Sequence, residues 1–175
     1  VPDLPGAGAT PTPVPAEGLT PVGQLGSSTR AVAVEGHTVY VGAGPRLLVV
    51  DVSDALHPRM VGGSPLLGDI VMDVAVASGR AYVAAGSGGG YVIDVTDPPA
   101  PRVLGHWETP SVARGIHVAG TFAYVADEAG GLRVIDVRDP AAPREVGSYD
   151  DAGEAGGVFA VGGFAYLADG SGGLL

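Results

Sequence analysis

The chain has 175 residues, 46% of them apolar and 16% charged, with 30 Gly, 15 Pro and no Cys. Its formal charge is −10 and all nine basic residues are Arg, a field that repels phosphate backbones and anionic head groups and so argues against nucleic-acid and membrane-surface binding. The absence of Cys excludes thiolate metal sites and a Cys nucleophile, and no run reaches the ~18 uninterrupted apolar residues that a membrane-inserted helix needs.

The chain opens at Val1 without an initiator Met or a basic-then-apolar leader, as expected of a processed or excised piece. Residues 1–21 hold six prolines among small residues and read as an extended linker or tail, because they cannot bury enough apolar surface to offset ordering. Spacers of this kind often follow an export signal or anchor, which sets the expectation of an extracellular or cell-surface protein.

From residue 22 onward one phrase returns. Tyr40, Tyr82, Tyr124 and Tyr166 stand 42 residues apart, within Thr38-Val-Tyr-Val41, Arg80-Ala-Tyr-Val83, Phe122-Ala-Tyr-Val125 and Phe164-Ala-Tyr-Leu167. Before each tyrosine lies an alternating apolar run such as Val32-Ala-Val34, Val74-Ala-Val76 or Ile116-His-Val118. After it come a turn, glycine-rich in the later units, and a third run: Leu47-Leu-Val-Val-Asp-Val52, Tyr91-Val-Ile-Asp-Val95, Leu132-Arg-Val-Ile-Asp-Val137. A Pro turn follows (Asp97-Pro-Pro-Ala-Pro101, Asp139-Pro-Ala-Ala-Pro143), then a short run such as Arg102-Val-Leu-Gly105. Each run is strand-length, rich in Val, Ile and Tyr, and bounded by turn residues.

Four strands in ~42 residues, repeated in tandem, predict the blades of a β-propeller; a β-helix is the competing solenoid, but its repeats are usually shorter. Leu-x-Val-Ile-Asp-Val followed by Asp-Pro-x-x-Pro-Arg resembles the LVIVD repeat. The first copy departs from it, being one residue short before Asp51 and carrying Ala55 in place of Pro. The resemblance implies an all-β propeller architecture and export, with no settled activity to carry over. Residues 22–175 hold 154 positions, about 3.7 units, so the expected fold is a partial propeller of three full units plus an incomplete fourth. The remaining blades are expected in a longer chain or, less simply, in another copy.

Scaffolding recurs in every unit, whereas a site occurs once. Asp51, Asp94 and Asp136, with Asp54, Asp97 and Asp139, recur and read as structural, as do Arg59, Arg102 and Arg144, expected to pair with the turn Asp five positions earlier. The variable positions lie on the 4→1 connections and 2→3 turns. There Asp127, Glu128, Asp150, Asp151, Glu154 and Asp169 form a candidate calcium set of hard oxygen ligands, against the plainer reading of a solvated acidic face. His106, Trp107 and Glu108 form a one-off stretch read as candidate ligand-binding residues for a protein or glycan, with Trp107 expected exposed. His117 and Arg114 are the candidate catalytic pair of an enzyme with a channel-mouth site and a divalent cation; no Gly-x-Ser-x-Gly elbow accompanies them. The leading expectation is a non-catalytic binding platform, with the enzyme and a passive structural spacer as alternatives.

Overall fold

The computed structural model describes residues 29–150 and 153–175. The Pro-rich stretch 1–21, the start of the repeat region at 22–28, and Asp151 lie outside the described residues.

The first unit folds as four strands, β1 (Thr29–Glu35), β2 (Thr38–Ala43), β3 (Arg46–Asp51) and β4 (Arg59–Gly63). The second is β5 (Asp73–Ala77), β6 (Arg80–Ala84), β7 (Gly90–Asp94) and β8 (Arg102–Trp107). The third is β9 (Gly115–Ala119), β10 (Phe122–Ala126), β11 (Leu132–Asp136) and β12 (Arg144–Tyr149). Each is an antiparallel sheet whose spatial order follows the chain. The fourth unit consists of β13 (Gly157–Val161) and β14 (Phe164–Ala168); beyond a 3-10 turn at Gly170–Gly172, Leu175 pairs its backbone with Leu167. The expected three full units plus an incomplete fourth are what the chain forms.

The period-2 pattern of the sequence decides how the sheets stack. The first strands lie side by side in chain order, β1 on β5, β5 on β9 and β9 on β13. Each sheet turns one face to the preceding unit and the other to the following one. Ala33 and Tyr40, directly opposite across β1 and β2, face forward; Val74 and Val83, opposite across β5 and β6, face back and meet them. Tyr82 repeats the forward contact against Ile116 and Val125 of the third unit. Both faces of an internal sheet are therefore apolar, and Val49, Val83, Ile93, Val125 and Ile135 are wholly buried. Burying such side chains contributes about 1.5–3 kcal/mol each.

The recurring aspartates have separate tasks. Asp54 and Asp139 accept the backbone N–H two residues on (Leu56 at 3.0 Å, Ala141 at 3.0 Å), which closes the Pro turn as expected. The arginines correct one expectation. Arg59 pairs with Asp51 at 3.0 Å, and Arg144 lies 3.7 Å from Asp136, instead of pairing with the turn aspartates. Antiparallel register is the reason: Asp51 stands opposite Arg59, Asp94 opposite Arg102 and Asp136 opposite Arg144.

A β-bulge not foreseen in the sequence recurs in every fourth strand. Val49 pairs with Gly62 and Val50 with Met60, leaving Val61 extra; Leu104 and Val146 are extra at the same place in the later units. The glycine beside the bulge is a seat for the next unit's Pro turn. A Cβ on Gly62 would lie 2.2 Å from the Pro98 carbonyl oxygen, and one on Gly105 would lie 2.5 Å from that of Pro140. The Asp-Pro-x-x-Pro phrase and the glycine of the preceding unit are two halves of one contact.

Candidate functional site

The 4→1 connections and 2→3 turns gather on one side of the sheets, as alternating strand direction requires, and hydrogen bonds lock them together. Between units the bonds are backbone to backbone: Ala113 and Gly86 bridge units two and three, and Ala155 and Glu128 bridge units three and four. Within a unit a carboxylate joins the incoming connection to the turn. In the second unit it comes from the connection: Asp69 Oδ2 accepts from the Ser87 hydroxyl at 2.7 Å and the Ser87 N–H at 3.0 Å. In the third it comes from the turn side: Asp127 Oδ2 accepts the Ser111 N–H at 3.1 Å.

These two carboxylates differ electrostatically. The Ser87 hydroxyl, followed by the Ile70 N–H, holds Asp69 below the ordinary carboxylate value. Burial pushes Asp127 above it, against the downward pull of Thr109, the Ser111 N–H and Arg133. Asp127 is wholly buried; among the described residues its Oδ1 has no hydrogen-bond partner, and the Arg133 Nε is 3.6 Å from Oδ2. Asp169, at the same repeat position, is equally buried.

The candidate calcium residues differ in their surroundings. Asp127 lies in its own unit's seam, Glu128 pairs with Arg114, and Asp150 and Glu154 are exposed. Among the described residues no group of three or more His, Cys, Asp or Glu side chains is arranged to hold a metal ion.

His106, Trp107 and Glu108, at and just past the end of β8, alternate in direction, so the strand splits them. The His106 ring is exposed and stacks on Tyr91 with centroids 5.7 Å apart and planes at 29°. Its Nε2 lies 3.3 Å from Glu108 Oε1, and the Tyr91 hydroxyl accepts the Gly68 N–H at 2.9 Å. Trp107 points the other way and is 6% exposed, contrary to the expected exposure. Its cross-strand partner is Gly90, and a Cβ there would fall 2.0 Å from the indole ring. That missing side chain is why the ring can lie down into the core beside Tyr82, Val92 and Ile116. Tyr149 occupies the Trp107 position of the third unit and is exposed.

Arg114 and His117 do not act on a common point. Arg114 forms an ion pair with Glu128, while the His117 ring packs 4.3 Å from that of Phe159. No hydrogen bond joins the two among the described residues. The polar group nearest to a special role on the first strands is one that sequence reasoning passed over. Asp73 Oδ2 accepts the Ile116 N–H of the next unit at 2.9 Å and its Oδ1 accepts the Val74 N–H at 2.8 Å. Burial raises its carboxyl above the ordinary value despite these bonds and the nearby His117. Its signal was available, since the same repeat position holds Ala31, Gly115 and Gly157.

Sheets of four antiparallel strands, stacked through their first strands in chain order, define a β-propeller class of protein. The family model of the LVIVD repeat matches residues 26–63, 68–109, 111–151 and 152–175, and the chain belongs to the LVIVD repeat family. Among solved structures it is similar to the computationally designed Ika4 protein, with a TM-score of 0.73 and 13% identity over 86% of this chain and 90% of that one. It is also similar to the computationally designed Ika8 protein, with a TM-score of 0.69 and 14% identity over 85% of this chain and 45% of that one. At these identities the likeness concerns the fold. No curated protein matches the chain.

Proposed function

We propose that this propeller array is a non-catalytic binding platform of an exported or cell-surface protein, with His106 and Glu108 as contact residues for a protein or glycan. The observation that carries the reading is the exposed His106 ring stacked on Tyr91 beside Glu108. It combines a flat ring, a hydrogen-bonding edge and a carboxylate on a rigid strand end, at a position the other units fill with Ser64 and Ser148. Such a ring-and-carboxylate pair suits the apolar face and hydroxyls of a sugar, or a polar peptide side chain. The Pro-rich stretch 1–21 supports export as a spacer between an anchor and the array.

The test is a panel of immobilised glycans and a displayed peptide library, repeated with His106→Ala and Glu108→Ala. Both side chains are exposed, so the variants should fold as the parent does. A ligand whose affinity drops about tenfold or more in either variant supports the reading, that being the size of a contact worth more than about 1 kcal/mol. Ligands bound equally by the variants, or no ligand in either panel, would leave the array as a structural spacer. The buried Trp107 favours that second reading, because it removes the largest aromatic from the surface.

A further inference from the structure

One cleft combines the recurring frame with a residue that occurs once. Where β11 hands over to β12, at the end of the sheets opposite the seam, Asp136, Arg138, Asp139, Ala142 and Arg144 line a cleft of about 340 Å³. That is within the size range of small-ligand sites. Asp136, Asp139 and Arg144 have counterparts in both earlier units, whereas Arg138 stands where those units have Ser53 and Thr96.

The change redistributes the partners of the strand-end carboxylate. In the first unit Arg59 donates to Asp51 at 3.0 Å, and in the second the Thr96 hydroxyl donates to Asp94 at 2.6 Å. In the third, Arg138 takes the carboxylate over: its Nε lies 3.0 and 3.1 Å from the two oxygens of Asp136, which is 3% exposed. Arg144 is left 3.7 Å from Asp136, without a hydrogen bond among the described residues. Asp139 accepts the Ala141 N–H through Oδ1, which leaves Oδ2 at the same rim. The third unit thus sets two guanidinium groups on one cleft, one pinned by Asp136 and the other open to a ligand. A neighbouring unit does not cover this position. Arg59, with the second unit in place beside it, has a side chain 73% exposed, against 72% for Arg144, and Thr96, Asp97 and Arg102 are exposed as well.

Two arginines and two aspartates make the cleft neutral on a chain of formal charge −10. A guanidinium fork matches a carboxylate with two parallel N–H donors. The flanking aspartates accept protons from hydroxyls and repel a second negative charge, which disfavours a phosphate dianion. A single carboxylate with hydroxyls beside it satisfies both conditions. We propose that this cleft binds a sugar acid, Arg144 and Arg138 taking the carboxylate of a uronate ring and Asp139 a neighbouring hydroxyl.

The test is an NMR titration of ¹⁵N-labelled chain with trigalacturonate, following the arginine Nε–H signals and the backbone signals of residues 136–144. Controls are the neutral galactose trimer, acetate and inorganic phosphate. The variants are Arg144→Gln and Arg138→Thr, the second restoring the residue type of the second unit. Both arginine side chains are largely exposed, and a thermal melt by circular dichroism confirms that each variant is folded. Trigalacturonate is expected to shift these signals at about millimolar concentration, and the three controls to leave them in place. Each variant should lose about tenfold or more in affinity, as removal of a charged hydrogen-bond donor does. No shift up to about 10 mM would overturn the proposal. So would equal shifts with acetate or phosphate, which would make the cleft a general anion site, or affinity unchanged in either variant.

Discussion

Asp69 and Asp127 make the same tie from opposite sides of one seam. Asp69 reaches from the connection to the turn and takes the Ser87 hydroxyl and N–H, while Asp127 sits at the turn and takes the Ser111 N–H from the connection. The repeat period explains the exchange. Asp69 and Ser111 share one repeat position, as do Ala85 and Asp127, so the carboxylate has changed sides between successive units while the tie is kept. A seam preserved in this way, with different residues, is a structural requirement of the blade.

The seam gives the first prediction. Asp127→Ala leaves the Ser111 N–H without its acceptor and should cost about 1–3 kcal/mol. Asp127→Asn keeps an acceptor oxygen and removes a charge that burial disfavours, so it should melt near or above the parent at neutral pH. The sign follows from the raised carboxyl, which binds its proton more tightly folded than unfolded. Its contribution to stability therefore falls as pH rises from the ordinary value of 3.8 through the folded value, and it is this loss that Asn abolishes. Thermal melts of the three proteins between pH 3 and 8 check it.

Asp136 should show the opposite dependence. Its hydrogen bonds from the Arg138 guanidinium hold it down to about 2, below the ordinary 3.8. The stability it contributes is complete above 3.8 and is lost as pH falls towards 2. Asp136→Asn should flatten the parent's acid limb in that window and leave the slope above pH 5 unchanged. An identical acid limb in the two proteins would show that Asp136 has no part in it.

The seat beside the bulge predicts a cost for a single methyl group. Gly105→Ala places a Cβ against the backbone of the Pro140 turn, where no flexible side chain can give way. About 1–3 kcal/mol should be lost, the usual range for overpacking. Gly147→Ala is the control, since the nearest atom to its added Cβ is 3.9 Å away on Val134, and it should melt within about 0.5 kcal/mol of the parent.

Trp107 and Gly90 are coupled in the same manner. Gly90→Ala would drive a methyl group into the indole ring, and Trp107→Phe should relieve much of that loss. Because the indole N–H has no partner among the described residues, Trp107→Phe alone gives up packing and no hydrogen bond to them. A double-mutant cycle by denaturant unfolding should therefore show a coupling of about 0.5–3 kcal/mol. Strictly additive losses would mean that the ring moves aside without help.

How much of this could be read in the residues depends on the range of the interaction. The 42-residue tyrosine spacing and the period-2 runs encode strands and their tandem order locally, and the four units follow them. Separation along the chain, five positions, points each Arg to its turn Asp, whereas register across β3 and β4 sets Arg59 opposite Asp51. The Trp107 orientation was hidden because it depends on an absent side chain in another strand. Asp73 was legible by comparison with Ala31, Gly115 and Gly157, but its bond to Ile116 belongs to the packing of two units and leaves no local mark.

The glycine seat and the Pro turn have an order in time as well as in space. Gly62 precedes Pro98 in the chain, and Gly105 precedes Pro140, so each docking surface is synthesised before the turn that fills it. A chain emerging from the ribosome, which folds its N-terminal parts first, would add every new blade to one already complete. The array would grow in one direction, each blade the template for the next.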